Sequence, residues 1–241
     1  MNYEGIFNTS NISKQISVPH IKDFSKIFIK KVSPQDDAEI QKLLDFDELA
    51  YFTQNDTPKD HEPPRYSFQE FKDIFNNGEV FEMYGELSTD KREKLLRFYI
   101  FERKGSQKEE LYVGGLDIHP DYRNVGLGSF VLHIAEIVAK QTDGIQKLTL
   151  TVDPLNGRGL SAYLKFGFRI IAFEKNHFGP KSDRFIMIKN LVSITEPPIH
   201  ESREVACGDE KGLIDVTKEG FRGVSLIRKE DNYKNKIKFI K

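Results

Sequence analysis

The sequence predicts a mixed α/β fold in the order βααβββαβαββ, a sheet flanked by helices. Three observations carry that prediction. Short runs such as KLTLTVDP alternate apolar and polar residues with the period of a half-buried strand. Longer runs such as GLGSFVLHIAEIVAK instead put Phe130, Ile134, Ile137 and Val138 on one helical stripe. The two patterns interleave along the chain with polar turns between them, which is how strands and helices share one core.

Residues 1–23 are polar and weakly patterned and read as an N-terminal arm. FSKIFIKKV is the first strand. Ser33-Pro34 and the acids after it open a helix running into AEIQKLL. SFQEFKDIF is a second helix, with Ser67 as N-cap, Phe68, Phe71 and Phe75 at helical spacing, and Asn77-Gly78 at its end. EVFEMYGEL and KLLRFYIFE form an antiparallel hairpin across the polar turn STDKRE. EELYVGGLDIHPDYR is a strand interrupted by Gly114-Gly115, the mark of a bulge or of close approach by another backbone or a ligand.

Past Pro120 comes the helix GLGSFVLHIAEIVAK, followed by Gly144, and then the strand KLTLTVDP, ended by Pro154. NGRGLSAYLKF is a short helix stopped at Gly167, and FRIIAFEK and RFIMIKNL are two closing strands. No internal repeat is visible. From Thr195 the composition shifts, and EPPIHESREVACGDEKG reads as a linker or surface excursion. The remainder regains strand-like patches and ends basic. The expected division is an arm at 1–23, a catalytic domain at 24–192 and a C-terminal extension at 193–241.

With 241 residues, 38% of them hydrophobic, the chain can build one sizeable core and an appendage. A formal net charge of -1 argues against a nucleic-acid partner, because neutralising phosphates needs a cationic surplus. One cysteine cannot form an internal disulfide, and MNYEGIFNTSNISK has neither the basic start nor the apolar stretch of a signal peptide. No run approaches the ~20 apolar residues of a membrane span. The expectation is a cytoplasmic protein with no membrane and no nucleic-acid partner. Its six histidines and one cysteine show no metal-ligand spacing, so no metal is expected, and no G-x-S-x-G elbow occurs.

Two short stretches carry the chemistry. Arg123, Asn124, Val125, Gly126, Leu127, Gly128 and Ser129 stand between a strand and a helix, where open backbone amides and the positive helix end hold a diphosphate. Glycine is needed there because a side chain would keep phosphate off the backbone. The stretch is not a P-loop, since no Lys-Ser/Thr follows, and Val131 occupies the third glycine position of a dinucleotide fingerprint. About thirty residues on, the spacing of Asn156, Gly159 and Tyr163 puts all three on one helical face, with Gly167 beyond them.

Together DIHPDYRNVGLGS and NGRGLSAYLKFGF resemble the cofactor motif and the following helix of the GNAT acetyltransferase superfamily. The close resemblance covers about 80 residues, and the upstream βααββ order fits more loosely. Two positions depart from the family's habit: Gly159, where alanine is frequent, and Val125, where a basic or polar residue is common. The resemblance implies the GNAT fold, a mixed and mostly antiparallel sheet, with acetyl-CoA as co-substrate. It also implies a splayed strand pair, here 111–118 and 147–153, admitting the pantetheine arm along the backbone of Leu116 and Ile118. The amides from Asn124 to Ser129 would hold the pyrophosphate, and Asn156 would contact the cofactor arm. Tyr163 stands where the family commonly has the acid that protonates the departing thiolate.

An amine is protonated at pH 7, so attack on the thioester needs a base. Leu116 and Ile118 share one strand face, which leaves Asp117 and His119 on the other; Asp117 is the first choice, with Glu82, Glu86 and Glu110 as relays. A backbone N–H near Ile118 would stabilise the tetrahedral oxygen. From Asp36 to Glu62 the chain holds Asp36, Asp37, Glu39, Asp45, Asp47, Glu48, Asp56, Asp60 and Glu62 against Lys42 and Lys59, a bias that suits a cationic amine on a small molecule or peptide. The basic residues from Arg228 to Lys241 face CoA phosphates, a second subunit of a homodimer, or solvent. The expected function is transfer of acetyl from acetyl-CoA to a primary amine in a ternary complex. The alternative is a non-catalytic CoA-binding module in which the C-terminal extension is the working part.

Overall fold

A computed structural model describes residues 26–32, 37–52, 67–77, 79–86, 92–102, 109–192, 198–230 and 232–241. The expected arm at 1–23, the helix opening at Ser33-Pro34, the acids Asp36, Asp56, Asp60 and Glu62, and most of the hairpin turn lie outside them. The chain divides into two compact units: residues 1–54 with 65–145, and residues 55–64 with 146–241.

In the first unit, strands β1 (Lys26–Val32), β2 (Glu79–Glu86), β3 (Arg92–Glu102) and β4 (Glu110–Ile118) pair antiparallel in that order. Helix α1 (Asp37–Phe52) runs beyond the expected AEIQKLL, because Phe46 and Ala50 continue its buried stripe. Helix α2 (Phe68–Asn77) starts in a reciprocal cap: Ser67 Oγ accepts from the Glu70 amide at 3.2 Å, and Glu70 Oε2 accepts from the Ser67 amide at 2.8 Å. Ile40, Leu43, Leu44 and Phe71 bury together between the two helices. Across the hairpin Phe81 stands opposite Phe98, their rings stacked at 5.2 Å. Helix α3 (Leu127–Gln141) closes the unit with Phe130, Val131, Ile134 and Val138 buried.

In the second unit, β5 (Lys147–Val152), helix α4 (Gly157–Lys165), β6 (Arg169–Glu174) and β7 (Arg184–Asn190) appear as expected, β7 pairing antiparallel with both β5 and β6. The C-terminal stretch corrects two expectations. Part of the expected linker is strand β8 (Ser202–Ala206), and after it come helix α5 (Glu210–Lys218), β9 (Arg222–Ile227) and β10 (Lys236–Ile240). The strand order is β5-β7-β6-β9-β10-β8.

An internal repeat is therefore present. Asn156 and Asp209, Gly159 and Gly212, Leu160 and Leu213, Lys165 and Lys218, Gly167 and Gly220, Phe168 and Phe221, Arg169 and Arg222 are all the same distance apart along the chain. The backbone repeats with them: Asn156 accepts from the Gly159 amide at 2.9 Å and Asp209 from the Gly212 amide at 3.0 Å, and each helix ends on a left-handed glycine, Gly167 at φ 100° and Gly220 at φ 85°. Among the described residues no helix is long and apolar enough to cross a membrane.

Candidate active site

Strand β4 ends in a single helical turn at Pro120–Tyr122, begun by His119, whose ring nitrogen accepts from the Asp121 amide at 3.3 Å. The Arg123 side chain turns back into the protein. Its Nε donates to the Ile118 carbonyl at 3.2 Å and its Nη2 to the Ala50 carbonyl, tying the end of α1 to the end of β4. The loop then takes two left-handed residues, Asn124 at φ 63° and Gly126 at φ 92°.

Gly126 is the N-cap of α3 and offers no side chain to cap it, and the first turn carries no acid. The first helical bond runs from the Phe130 amide to the Gly126 carbonyl at 3.0 Å, so the amides of Leu127, Gly128 and Ser129 have no carbonyl of the helix to meet. Leu127 is buried and anchors the turn, while Asn124, Val125, Gly126 and Ser129 are exposed. A Cβ at Gly128 would meet only Ile118 Cδ1, at 3.6 Å. These residues fit a diphosphate: bare amides, a positive helix end and, among the described residues, little beside Gly128 but the Ile118 side chain.

The expected irregularity in β4 is a bulge. The register against β3 shifts between Asp117 opposite Arg97 and Gly114 opposite Tyr99, and Gly115 takes φ 52° at that point. Leu116 and Ile118 are partly buried; Asp117 is buried and bonded. Its Oδ2 accepts from Arg97 Nη2, and the same nitrogen donates to Asp47 Oδ1 of α1 at 2.5 Å. The Arg97 guanidinium is wholly buried and stacks 4.5 Å from the Phe71 ring. Burial first, and the Asp117 carboxylate second, push the Asp47 carboxyl up to about 7.

Glu82 stands opposite Arg97 in the ladder, is itself buried, accepts from the Tyr84 hydroxyl at 2.5 Å, and is ion-paired with the Lys94 ammonium. Burial and that carboxylate hold the Tyr84 phenol above its ordinary range. Glu110 is half-buried, and the Glu86 side chain lies outside the described residues.

Asn156 and Tyr163 belong to the second unit. The Asn156 carboxamide spends its oxygen on capping α4, which leaves its Nδ2 as donor. The space at Gly159 serves that cap, because a Cβ there would come 3.0 Å from Asn156 Nδ2. Tyr163 is half-buried with its ring edge-on to Phe168 at 6.1 Å. Cys207 is buried, and burial pushes its thiol up to about 12, too high for thiolate chemistry near neutral pH.

The structure thus brings Leu116, Asp117, Ile118 and the turn from Arg123 to Ser129 into one unit, and Asn156 and Tyr163 into the other. Of the acids on α1, Asp37, Glu39, Asp45 and Glu48 face solvent while Asp47 turns inward. Arg228 donates to the Gly157 carbonyl at 3.0 Å, and Lys236 stands 3.5 Å from Glu204. Sequence reasoning missed Arg97. A single cation inside the otherwise apolar run LLRFYIF was the available signal, since a buried guanidinium demands buried acids.

The fold is similar to that of an N-acetyltransferase from Staphylococcus aureus, at TM-score 0.54 and 16% identity over 70% of this chain and 100% of the other. It is also similar to yncA from Salmonella typhimurium, solved with its cofactor acetyl-CoA, at TM-score 0.50 and 13% identity over 72% of this chain and 99% of that one. At these identities the likeness is one of fold. Zebrafish (Danio rerio) N-alpha-acetyltransferase 50 is 28% identical over 96 residues, which are 39% of this chain and 57% of that protein. The model of the acetyltransferase (GNAT) family matches residues 41–168, a span holding both the amide-lined turn and the helix of Asn156 and Tyr163, and the chain belongs to that family.

Proposed function

We propose that the protein transfers an acetyl group from acetyl-CoA to a primary amine of a small molecule or peptide, by direct attack in a ternary complex. The observation that carries this reading is the turn at 123–129, whose left-handed backbone and uncapped helix start support a diphosphate-binding role. Under it, 24–192 is the catalytic domain, 1–23 an arm and 193–241 an extension. The amides from Asn124 to Ser129 hold the pyrophosphate, the backbone of Leu116 and Ile118 lines the pantetheine arm, and the Asn156 Nδ2 reaches the cofactor. An N-alpha-acetyltransferase among the relatives supports an amine nitrogen as acceptor.

The chemistry needs a proton removed from the ammonium and one delivered to the departing thiolate. Asp117 is the proposed acceptor, with Arg97 and Asp47 setting the charge around it, and Tyr163 the proposed donor. The four exposed acids on α1 favour a cationic acceptor.

One observation favours the second reading, a CoA-binding module without turnover: Asp117 is already committed to Arg97. Release of free thiol from acetyl-CoA across a panel of amines and peptides, with products weighed by mass spectrometry, separates the two. Acceptor-dependent release is expected, with Tyr163→Phe lowering kcat by about 10²-fold. Binding of acetyl-CoA without release from any acceptor would leave the module.

A further inference from the structure

We infer that residues 202–240 are an altered second copy of the half-domain 147–190, and that this copy serves inside one chain as a built-in subunit that positions α4, the helix of Asn156 and Tyr163. The positioning part rests on the acetyl-CoA reading above; the duplication does not.

The two blocks share element order, one β-α-β-β each, and helices of nine residues. They share strand order too, β5-β7-β6 in the first and β8-β10-β9 in the second, joined β6 to β9. The joining pair is Ile170 opposite Gly223, antiparallel, and these are equivalent positions of the two copies. Equivalent residues facing one another across an antiparallel ladder place a local two-fold axis between them, the arrangement of an isologous dimer interface.

Such an interface repeats each contact with the roles exchanged. Lys175 of the first copy pairs with Glu210 of the second at 2.9 Å. Their equivalents are Arg228 and Gly157, and Arg228 of the second copy donates to the Gly157 carbonyl of the first at 3.0 Å. Each helix likewise packs on the other copy's strand, α4 against β9 and α5 against β6.

The chemistry has not been repeated. Where the first copy has Tyr163, the second has buried Val216; where the first has the Asn156 amide donors, the second has the Asp209 carboxylate, whose charge opposes a phosphate. What the second copy keeps is packing: Leu213, Val216 and Phe221 are buried, and Gly223 admits Ile170, whose Cδ1 would stand 2.8 Å from any Cβ there. It therefore covers the β6 edge, which an unpaired strand would leave open to other chains, and clamps the first turn of α4 through Arg228.

The test cuts the full folded chain at a protease site replacing residues 193–197. A built-in subunit stays bound, so the two pieces are expected to elute together as a 1:1 complex in native mass spectrometry and gel filtration; residues 198–241 eluting alone without denaturant would overturn the inference. In the intact chain, Arg228→Ala is expected to weaken acetyl-CoA binding about fivefold by calorimetry, with Arg228→Lys recovering most of it. Lys175→Ala, the equivalent position on the other side of the axis, should leave binding within about twofold. Equal effects of the two alanine variants would remove the positioning role. An intact chain that binds no acetyl-CoA would sink the activity instead, and the elution result would stand by itself.

Discussion

Two carboxylates meeting on one nitrogen of Arg97 leave a net negative charge in a dry place, and Asp47 relieves it by holding a proton to about 7. The folded chain holds that proton more tightly than the unfolded chain does, and each tenfold gain in proton affinity is worth about 1.4 kcal/mol. The contribution is thus full below the ordinary carboxylate range and lost as pH rises through about 7. Thermal unfolding at pH 5 and pH 8 should show wild type losing stability between the two, and Asp47→Asn losing less. Arg97→Met leaves both acids without their cation and should cost about 3–5 kcal/mol at pH 8 by denaturant titration. Next to the cluster, Glu82 on β2 stands opposite Arg97 and is ion-paired with Lys94 on β3. If the Arg97 cluster takes part in proton transfer, kcat/KM should change as Asp47 titrates through about 7, and Asp47→Asn should flatten that limb; an unchanged profile would dismiss the cluster from proton transfer.

At the scale of elements, the turn before α3 and the N-cap of α4 make separable predictions. Gly126 takes φ 92°, so Gly126→Val strains the backbone and puts methyl groups where phosphate would lie. Acetyl-CoA affinity should fall by at least about tenfold in calorimetry, while the melting temperature falls by a few degrees. The two helical caps are a matched pair. Asn156→Ala and Asp209→Ala should each cost about 1 kcal/mol of stability, and only the first should also weaken acetyl-CoA binding. On α1, replacing Asp37, Glu39, Asp45 and Glu48 together should raise KM for a cationic amine, more at low salt than at high. Kinetics indifferent to those four acids would leave them as a solvated face.

Across the whole molecule, Gly223 is a point of the second unit, outside the proposed site, where no side chain fits without displacing its neighbours. Its missing Cβ is what lets Ile170 and Ile237 approach, with clearances of 2.8 and 2.9 Å that any side chain would violate. Gly223→Val should lower stability by several kcal/mol in denaturant titration, comparable with overpacking a core.

Period-two and helical patterns in the residues themselves were enough for the existence and type of the described strands and helices from Lys26 to Asn190, though not for the length of α1, because each element there has one apolar face to bury. The bulge was legible from Gly114-Gly115, and the amide-lined turn from its glycines. The repeat was also written in the chain, as GLSAYLKFGFR against GLIDVTKEGFR, but every residue between its shared Gly-Leu, Lys and Gly-Phe-Arg is exchanged, so a reading by period alone does not show it. Only tertiary structure decided that Asp117 is bonded to Arg97, that Asp47 turns inward from a helix of exposed acids, and that Arg228 meets Gly157. Periodicity reports which face of an element is buried; which charge meets which, across elements far apart in the chain, is set when those faces pack.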